Sequence, residues 1–521
     1  MNRMTELAVL DQARLVEALR AALPQPAEVR ETHISWVLLA DDHAWKIKKA
    51  VDFGFLDFST LEKRRFYCDE EVRLNRRLAP QLYLDVVPIC GNAASPLLDS
   101  SGEAIEFAVK MRRFPAAAQF DAMLARGTLE PAHIDALADK IASFHQTTAV
   151  AAPDSPFGTA EAVHQPAQQN FAQIRPHLDQ PADLAQLESL QAWSASEFQR
   201  LAATFAQRKE QGCIRECHGD LHLANLALFE GEVVPFDCIE FNENLRWIDV
   251  ISEIAFLTMD LHDRRRPGLA WRLLNAYLEH SGDYAGLAVL RYYLVYRALV
   301  RAKVASLSCT QETLAGAALA QCREYLALAA SFVSSTRPFM LITHGLSGSG
   351  KTTLAGELAA PLGAIRIRSD IERKRLFGLA PTARSDSGVD SGLYTAEAHR
   401  LTYRKLAELA QTLVAAGYPV IVDAAFLQHA ERETFRQLAE NMESGFAILD
   451  LQAPPEILQQ RIVQRQSIGL DASEASVAVL HRQLAYDEPI TANEKCRAIH
   501  VDAQHYSLEE IMAATRRLLA Q

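Results

Sequence analysis

His218-Gly219-Asp220-Leu221-His222-Leu223-Ala224-Asn225 places a carboxylate and a carboxamide five residues apart in a turn-like stretch. Further along, Gly345-Leu346-Ser347-Gly348-Ser349-Gly350-Lys351-Thr352 completes a phosphate-binding loop of the G-x-x-x-x-G-K-T type. The two stretches handle phosphate by different means and belong to unrelated folds. The chain is therefore read as two domains with one site each.

Around the first stretch, residues 1–23 read as an amphipathic helix, and 34–40 and 44–50 as two strands of a hairpin turning at Asp41-Asp42-His43. Residues 61–78 read as a helix, and 82–89 and 105–112 as strands across a polar turn at 92–102. Phe114-Pro115 opens a mainly helical region, with an Ala-, Pro- and Gln-rich loop expected at 151–168. The expectation is a small α+β lobe followed by a larger helical lobe. In that setting Asp220 can accept or orient the proton of an acceptor hydroxyl, and Asn225 can offer a neutral oxygen to Mg²⁺. Apolar strands expected at 226–229 and 233–236 deliver Asp237, a carboxylate suited to bridging metal and phosphates, because Mg²⁺ takes hard oxygen ligands. His222 is read as a structural hydrogen-bonder and Asp249 as a brace for the loop.

The pattern His218-Gly219-Asp220-x-His222-x-x-Asn225 followed by Asp237 resembles the aminoglycoside phosphotransferase and choline kinase-like family, over roughly residues 28–330. The resemblance implies a bilobal protein-kinase-like fold, with Asp220 as catalytic base and Asn225 and Asp237 as Mg²⁺ ligands. It also implies a lysine on the second hairpin strand paired with a helix glutamate. Lys46 is the first choice and Lys48 the rival; Glu71 is the preferred partner, with Glu70 as the alternative. The hairpin lacks a G-x-G-x-x-G, and Asp237-Cys238-Ile239 stands where regulated protein kinases have Asp-Phe-Gly. No switch of that kind is expected.

Beyond a boundary at 331–338 the pattern becomes strand–helix–strand, with strands expected at 339–343, 364–368, 420–423, 446–451 and 498–501. These make a five-stranded parallel sheet. Backbone N–H groups of Gly345, Leu346, Ser347, Gly348, Ser349 and Gly350 can wrap a β-phosphate at the positive end of the following helix. Lys351 reaches the β/γ-phosphates, the Thr352 hydroxyl binds Mg²⁺, and Thr353 is counted among the nucleotide contacts. Asp370 ends a strand at the carboxyl edge of the sheet and either handles the acceptor hydroxyl or caps the helix it opens. Arg373, one turn on, can hold an anionic substrate group. Asp423 resembles a Walker B carboxylate acting on Mg²⁺ through water. Arg461 and Arg465 are read as lid arginines or as a solvated helix face.

Residues 337–520 resemble the P-loop kinases of small substrates, namely the gluconate kinase, zeta-toxin and polynucleotide 5′-kinase relatives. The whole chain resembles a bacterial bifunctional fusion of the two kinase types, with an AAA-type ATP-binding C-terminal domain. The implied division is an N-terminal helix at 1–27, a kinase-like domain at 28–335 and a P-loop domain at 336–521.

The bulk composition agrees with a folded chain of this kind. Its 521 residues carry a net charge of −12, which argues against a general binder of long nucleic acid. None of the eight cysteines forms a C-x-x-C pair, and no uninterrupted apolar run is long enough for a bilayer. A cytoplasmic protein with reduced thiols and no membrane partner is expected. The expected activity is ATP- and Mg²⁺-dependent phosphotransfer to hydroxyls of small-molecule acceptors at two nucleotide sites. Two alternatives stand beside it: a P-loop NTPase switch gating the kinase-like half, and a nucleic-acid end kinase. Acidic Glu240, Glu243, Asp260 and Asp263 either attract a cationic acceptor or are surface charge.

Overall fold

The computed structural model describes residues 3–24, 27–54, 56–307, 315–333, 337–381, 383, 395–468 and 475–519. These fall into two compact units. One comprises Met1–Lys140, Phe144–His177 and Ala195–Asp260; the other comprises Ile141–Ser143, Leu178–Ser194 and Leu261–Gln521.

The first unit is built on an antiparallel sheet of β1 (Glu28–Glu31), β2 (Ser35–Ala40), β3 (His43–Lys48), β4 (Tyr83–Asn92), β5 (Ser95–Leu98) and β6 (Ala104–Arg112), in the order β1-β2-β3-β6-β4-β5. Strand alternation sends Trp45 and Ile47 into a core with Leu15, Val16 and Leu19 of the Arg3–Ala22 helix. Lys46 and Lys48 therefore project from the opposite face, where the Leu61–Asn75 helix lies. Cys68 and Val72 of that helix pack with Tyr83 and Val109. Two elements were not legible. β1 is only four residues long and largely exposed, and β5 occupies the stretch expected to be a turn. The loop expected at 151–168 is a further departure. Ala160–Ile174 is a helix, started by Thr159 accepting from the Ala162 N–H at 3.1 Å and held by the buried Ala167, Phe171 and Ile174. Its burial outweighs the helix-breaking tendency of Pro166. Two short antiparallel ladders flank the 218–225 segment. β7 (Ile214–Glu216) pairs with β10 (Trp247–Asp249), and β8 (Leu226–Phe229) with β9 (Glu232–Pro235).

The second unit holds a fully parallel sheet of β11 (Phe339–His344), β12 (Ile365–Arg368), β13 (Val420–Asp423), β14 (Gly445–Gln452) and β15 (Ala498–Asp502), in the order β12-β13-β11-β14-β15. Leu341, Ile421 and Leu449 pack against Leu354 and Leu358 of the Lys351–Leu362 helix. The alternate residues Met340, Ile342, Val422 and Ile448 are equally buried. Both faces of β11, β13 and β14 are covered, which is why these three read as continuous apolar runs. The adjacent strands β12, β13 and β11 end at Arg368, Asp423 and His344, so their carboxyl ends line one sheet edge.

The element type changes near the expected division at 335/336, which falls within 334–336, outside the described residues. Compactness follows a different line. The helices from 267 to 333 belong to the second unit, because Asn275 pairs with the edge of β12. Its Nδ2 donates to Ala364 O at 3.1 Å, and its Oδ1 accepts from the Arg366 N–H at 2.7 Å. One side-chain amide thus satisfies a strand edge that would otherwise lack a neighbour.

Candidate active sites

In the first unit, three elements converge on Lys46. Its ammonium donates to Glu71 Oε1 at 2.9 Å and to Asp237 Oδ1 at 2.5 Å. Lys48, one strand repeat away, donates to Glu71 Oε2 at 2.6 Å and to Glu240. Glu70 turns to Arg73 and Arg246. Of the four residues weighed for the pair, Lys46 alone touches both Glu71 and Asp237, and Lys48 is the inner member of the same network. Glu71 is fully buried, whereas the Asp237 side chain is 44% exposed. Burial disfavours the Lys46 ammonium, but the charges of Asp237 and Glu71 outweigh that and hold it well above its ordinary value. For Glu71, burial is outweighed by Lys46 and Lys48, and its carboxyl lies below the usual range. For Glu240 burial wins over Lys48 and the carboxyl is raised.

Asp237 has a φ of 64°, unusual for a residue other than glycine. The surroundings enforce it. The Asp237 N–H donates to Tyr83 Oη at 3.0 Å, and the Cys238 N–H donates to Asn75 Oδ1 at 2.9 Å. Asn75 is itself anchored by donating to Glu71 O. Tyr83 and Asn75 had no motif to betray them, since they matter through backbone groups of a segment far away in sequence.

The 218–225 and 236–239 segments are laced together. His218 Nε2 lies 2.8 Å from Phe236 O, the Phe236 N–H donates to Asn225 O at 2.9 Å, and the Ile239 N–H donates to His218 O at 3.1 Å. Burial lowers the His218 pKa and keeps the ring neutral, as a ring nitrogen accepting from the Asp220 N–H requires. Asn225 Nδ2 donates to both the Asp220 carbonyl and carboxylate at 3.0 Å, which leaves its amide oxygen for a cation. Gly219 adopts φ +88°, and an added Cβ would sit 2.7 Å from Leu245 O. Its N–H donates to Glu253 Oε1 at 2.7 Å, and Glu253 Oε2 meets His145 at 2.7 Å. His222 Nε2 lies 3.4 Å from Asp220 and its ring stands edge-on to Phe256. Asp260 accepts from the Leu223 N–H, and Glu240 is buried on Lys48. Both of these acidic residues are part of the framework.

The second site lies at the shared edge of β12, β13 and β11. A cavity of about 590 Å³ is lined by Ser347, Gly348, Gly350, Lys351, Thr352 and Thr353 of the loop and by Asp370 and Arg373. Gly345, Leu346 and Ser349 do not line it; their role is in the loop's internal framework. Lys351 donates to Gly345 O at 2.7 Å and Leu346 O at 2.8 Å, and burial lowers its pKa to about 8. Asp423 is buried, and one carboxylate oxygen has no hydrogen-bond partner. Burial raises its pKa against the opposing charges of Arg368 and Arg366 and a hydrogen bond with the Thr352 side chain. A buried, under-satisfied carboxylate oxygen beside a threonine hydroxyl is the donor set a hard divalent cation takes. Thr352 and Asp423 would hold Mg²⁺ here.

Asp370 is the second residue of the Ser369–Leu376 helix, whose N-cap is Arg368. It meets Arg373 at 3.4 Å. Arg461 donates to Ala503 O at 2.8 Å and Arg465 to Ala475 O at 3.0 Å, and both line the cavity. The cavity is also lined by His399, which meets Glu431 at 2.5 Å, and by Tyr403 and Arg482. These belong to helices distant in sequence and carried no local signal. Gln483 accepts from the Ser347 N–H at 2.8 Å.

The profile of the AAA domain family matches residues 340–490. Among solved structures, a gluconokinase from Sinorhizobium meliloti 1021 is 22% identical, covering 35% of this chain and 93% of its own with a TM-score of 0.25. A choline/ethanolamine kinase family protein from Mesorhizobium loti is 14% identical, covering 62% of this chain and 99% of its own with a TM-score of 0.38. Across nearly the whole chain, the uncharacterized protein Rv2004c of Mycobacterium tuberculosis is 32% identical over 461 residues, 88% of this chain and 91% of that protein. The uncharacterized protein Mb2027c of Mycobacterium bovis gives the same figures. The chain belongs to the family of these mycobacterial proteins, and its residues 340–490 carry a match to the AAA domain family.

Proposed function

We propose that the chain is an ATP- and Mg²⁺-dependent phosphotransferase with two nucleotide sites, each moving the γ-phosphoryl group to a hydroxyl of a small molecule. The observation that carries the second-site part of this reading is one cavity lined by both the phosphate loop and the Asp370–Arg373 pair; the Lys46–Glu71–Asp237 contacts support the first. In each site the acceptor oxygen bonds to the γ-phosphorus as the bond from that phosphorus to the β-bridging oxygen breaks. The acceptor proton passes to a carboxylate, Asp220 in the first unit and Asp370 in the second. Asn225 and Asp237 would hold Mg²⁺ in the first site, and Thr352 and Asp423 in the second; bound Mg²⁺ neutralises charge developing on the phosphates.

The protein's own part is positioning and electrostatics. Lys46, fixed between Glu71 and Asp237, presents a permanent cation. Lys351 leaves its own loop carbonyls for the phosphates, and Arg461 and Arg465 stand ready to meet transition-state charge. A cytoplasmic setting with reduced thiols is part of this reading.

The test is incubation with γ-labelled ATP, Mg²⁺ and a bacterial small-metabolite extract, comparing the unaltered chain with Asp220→Asn, Lys351→Met and Asp370→Ala. Products lost separately in the first variant and in the other two support two kinases. If Asp370→Ala leaves every product intact while Lys351→Met changes only phosphate release, the second unit is a switch and the two-kinase reading fails.

A further inference from the structure

We propose that Glu279, on the Pro267–Ser281 helix that precedes the phosphate loop, is a positioning residue for both metal ligands of the second site. This rests on the reading of that site as a Mg²⁺-nucleotide site. Glu279 clamps two arginines that alternate along β12. Arg366 donates to Glu279 Oε1 from Nε at 2.9 Å and from Nη2 at 2.6 Å. Arg368 Nη1 lies 3.6 Å from Glu279 Oε2.

Each arginine then reaches one of the two metal ligands proposed above. Arg366 Nη1 donates to the Thr352 carbonyl at 3.0 Å, fixing the first turn of the helix that presents the Thr352 hydroxyl. Arg368 Nε stands 3.9 Å from Asp423 Oδ2, the buried oxygen without a hydrogen-bond partner. One carboxylate therefore sets the place of two cations, and these set the two ligands. The packing leaves room for little else: a Cβ on Gly356 would lie 2.7 Å from Arg366 Nη1. The Glu279 side chain is 14% exposed, so the clamp operates with limited screening by water.

Groups that orient metal ligands without touching the metal commonly change metal affinity by about 10- to 100-fold when removed. The measurement is calorimetric ADP binding to the full chain, in Mg²⁺ and in EDTA, with Lys351→Met subtracted to isolate the second site. Glu279→Gln is expected to cut the gain in ADP affinity from Mg²⁺ by about tenfold or more, while affinity in EDTA stays unchanged. Arg368→Gln leaves the Arg366 clamp intact and removes the arginine that links Glu279 to Asp423, so the same loss is expected at an unchanged melting temperature. The inference is overturned if both variants keep the full Mg²⁺ gain, or if Arg368→Gln loses affinity equally in EDTA. If the unaltered chain shows no Mg²⁺ gain over Lys351→Met, it is the nucleotide-site reading itself that fails.

Discussion

Lys46 Nζ and Glu71 Oε1 meet at 2.9 Å, joining β3 to the Leu61–Asn75 helix, while the other Glu71 oxygen is held by Lys48 at 2.6 Å. The two lysines share one buried carboxylate, so they do not contribute alike. Lys46→Met leaves Glu71 paired and is expected to spare most of the stability while lowering first-site kcat/KM by about 10²-fold or more. Glu71→Leu takes one of two carboxylate partners from each buried ammonium, leaving Lys46 to Asp237 and Lys48 to Glu240, and is expected to destabilise the chain more than Lys46→Met does. Urea denaturation beside nucleotide-dependent turnover separates the two. Equal destabilisation by both substitutions contradicts the shared-carboxylate account.

Lys351 supplies a pH signature. Burial lowers its pKa to about 8 from the ordinary 10.5. Between those values the unfolded chain binds the proton that the folded chain has released, so this group's contribution to stability rises with pH from about 8 to 10.5. Below 8 its cost is full and constant. A bound phosphate reverses the preference by favouring the ammonium. ADP binding near pH 8.5 is therefore expected to take up a proton, with uptake fading toward pH 7 and absent in Lys351→Met. Calorimetry in buffers of different ionisation enthalpy measures it, and proton release instead would refute the assignment.

Much of this architecture was legible because its signals are local. Strands β11, β13 and β14 of the parallel sheet are apolar runs buried on both faces, and the Gly-rich loop needs its residues contiguous. Asp220, Asn225 and Asp237 lie close in sequence for the same reason. What escaped was assembled from afar. Tyr83 and Asn75 hold Asp237 through backbone N–H groups, and Asn275 completes the edge of β12 from a helix that the motifs assign to the other half. The helix Ala160–Ile174 was hidden because Pro166 and an Ala/Gln-rich composition read as loop, whereas burial of Phe171 and Ile174 decides the matter.

Gly219 is held at φ +88° with Leu245 O 2.7 Å from where a Cβ would stand. The opposing atom is backbone and cannot swing aside, so Gly219→Ala combines a strained dihedral with a clash. A cost of about 1–3 kcal/mol is expected for the dihedral alone. The catalytic loop must shift to relieve the clash, which removes the Gly219 N–H from Glu253 and displaces Asp220 beside it. First-site turnover is expected to fall far more than the stability change implies, while Lys351-dependent activity remains. Labelled-product assays on the same preparation read both activities, and a parallel fall in the two would point to general unfolding.

Arg208 donates to Asp249 from Nε at 2.6 Å and from Nη2 at 2.8 Å, with both side chains almost fully buried. Asp249 Oδ1 also accepts from the Ile251 N–H at 2.9 Å, and Asp249 pairs with Ile214 across β10 and β7. The carboxylate thus braces the ladder leading into the His218–Asn225 loop and touches none of the residues proposed for chemistry. Asp249→Ala leaves a guanidinium buried without its counter-charge, for which about 3–5 kcal/mol of destabilisation is expected. Replacing both partners, Arg208→Met with Asp249→Leu, removes the charges together and is expected to recover a large part of that loss. Denaturation midpoints of the single and double variants, with the slopes checked for constancy, decide it. A double variant as unstable as the sum of its singles would show that the pair acts through its separate contacts and not as a buried ion pair.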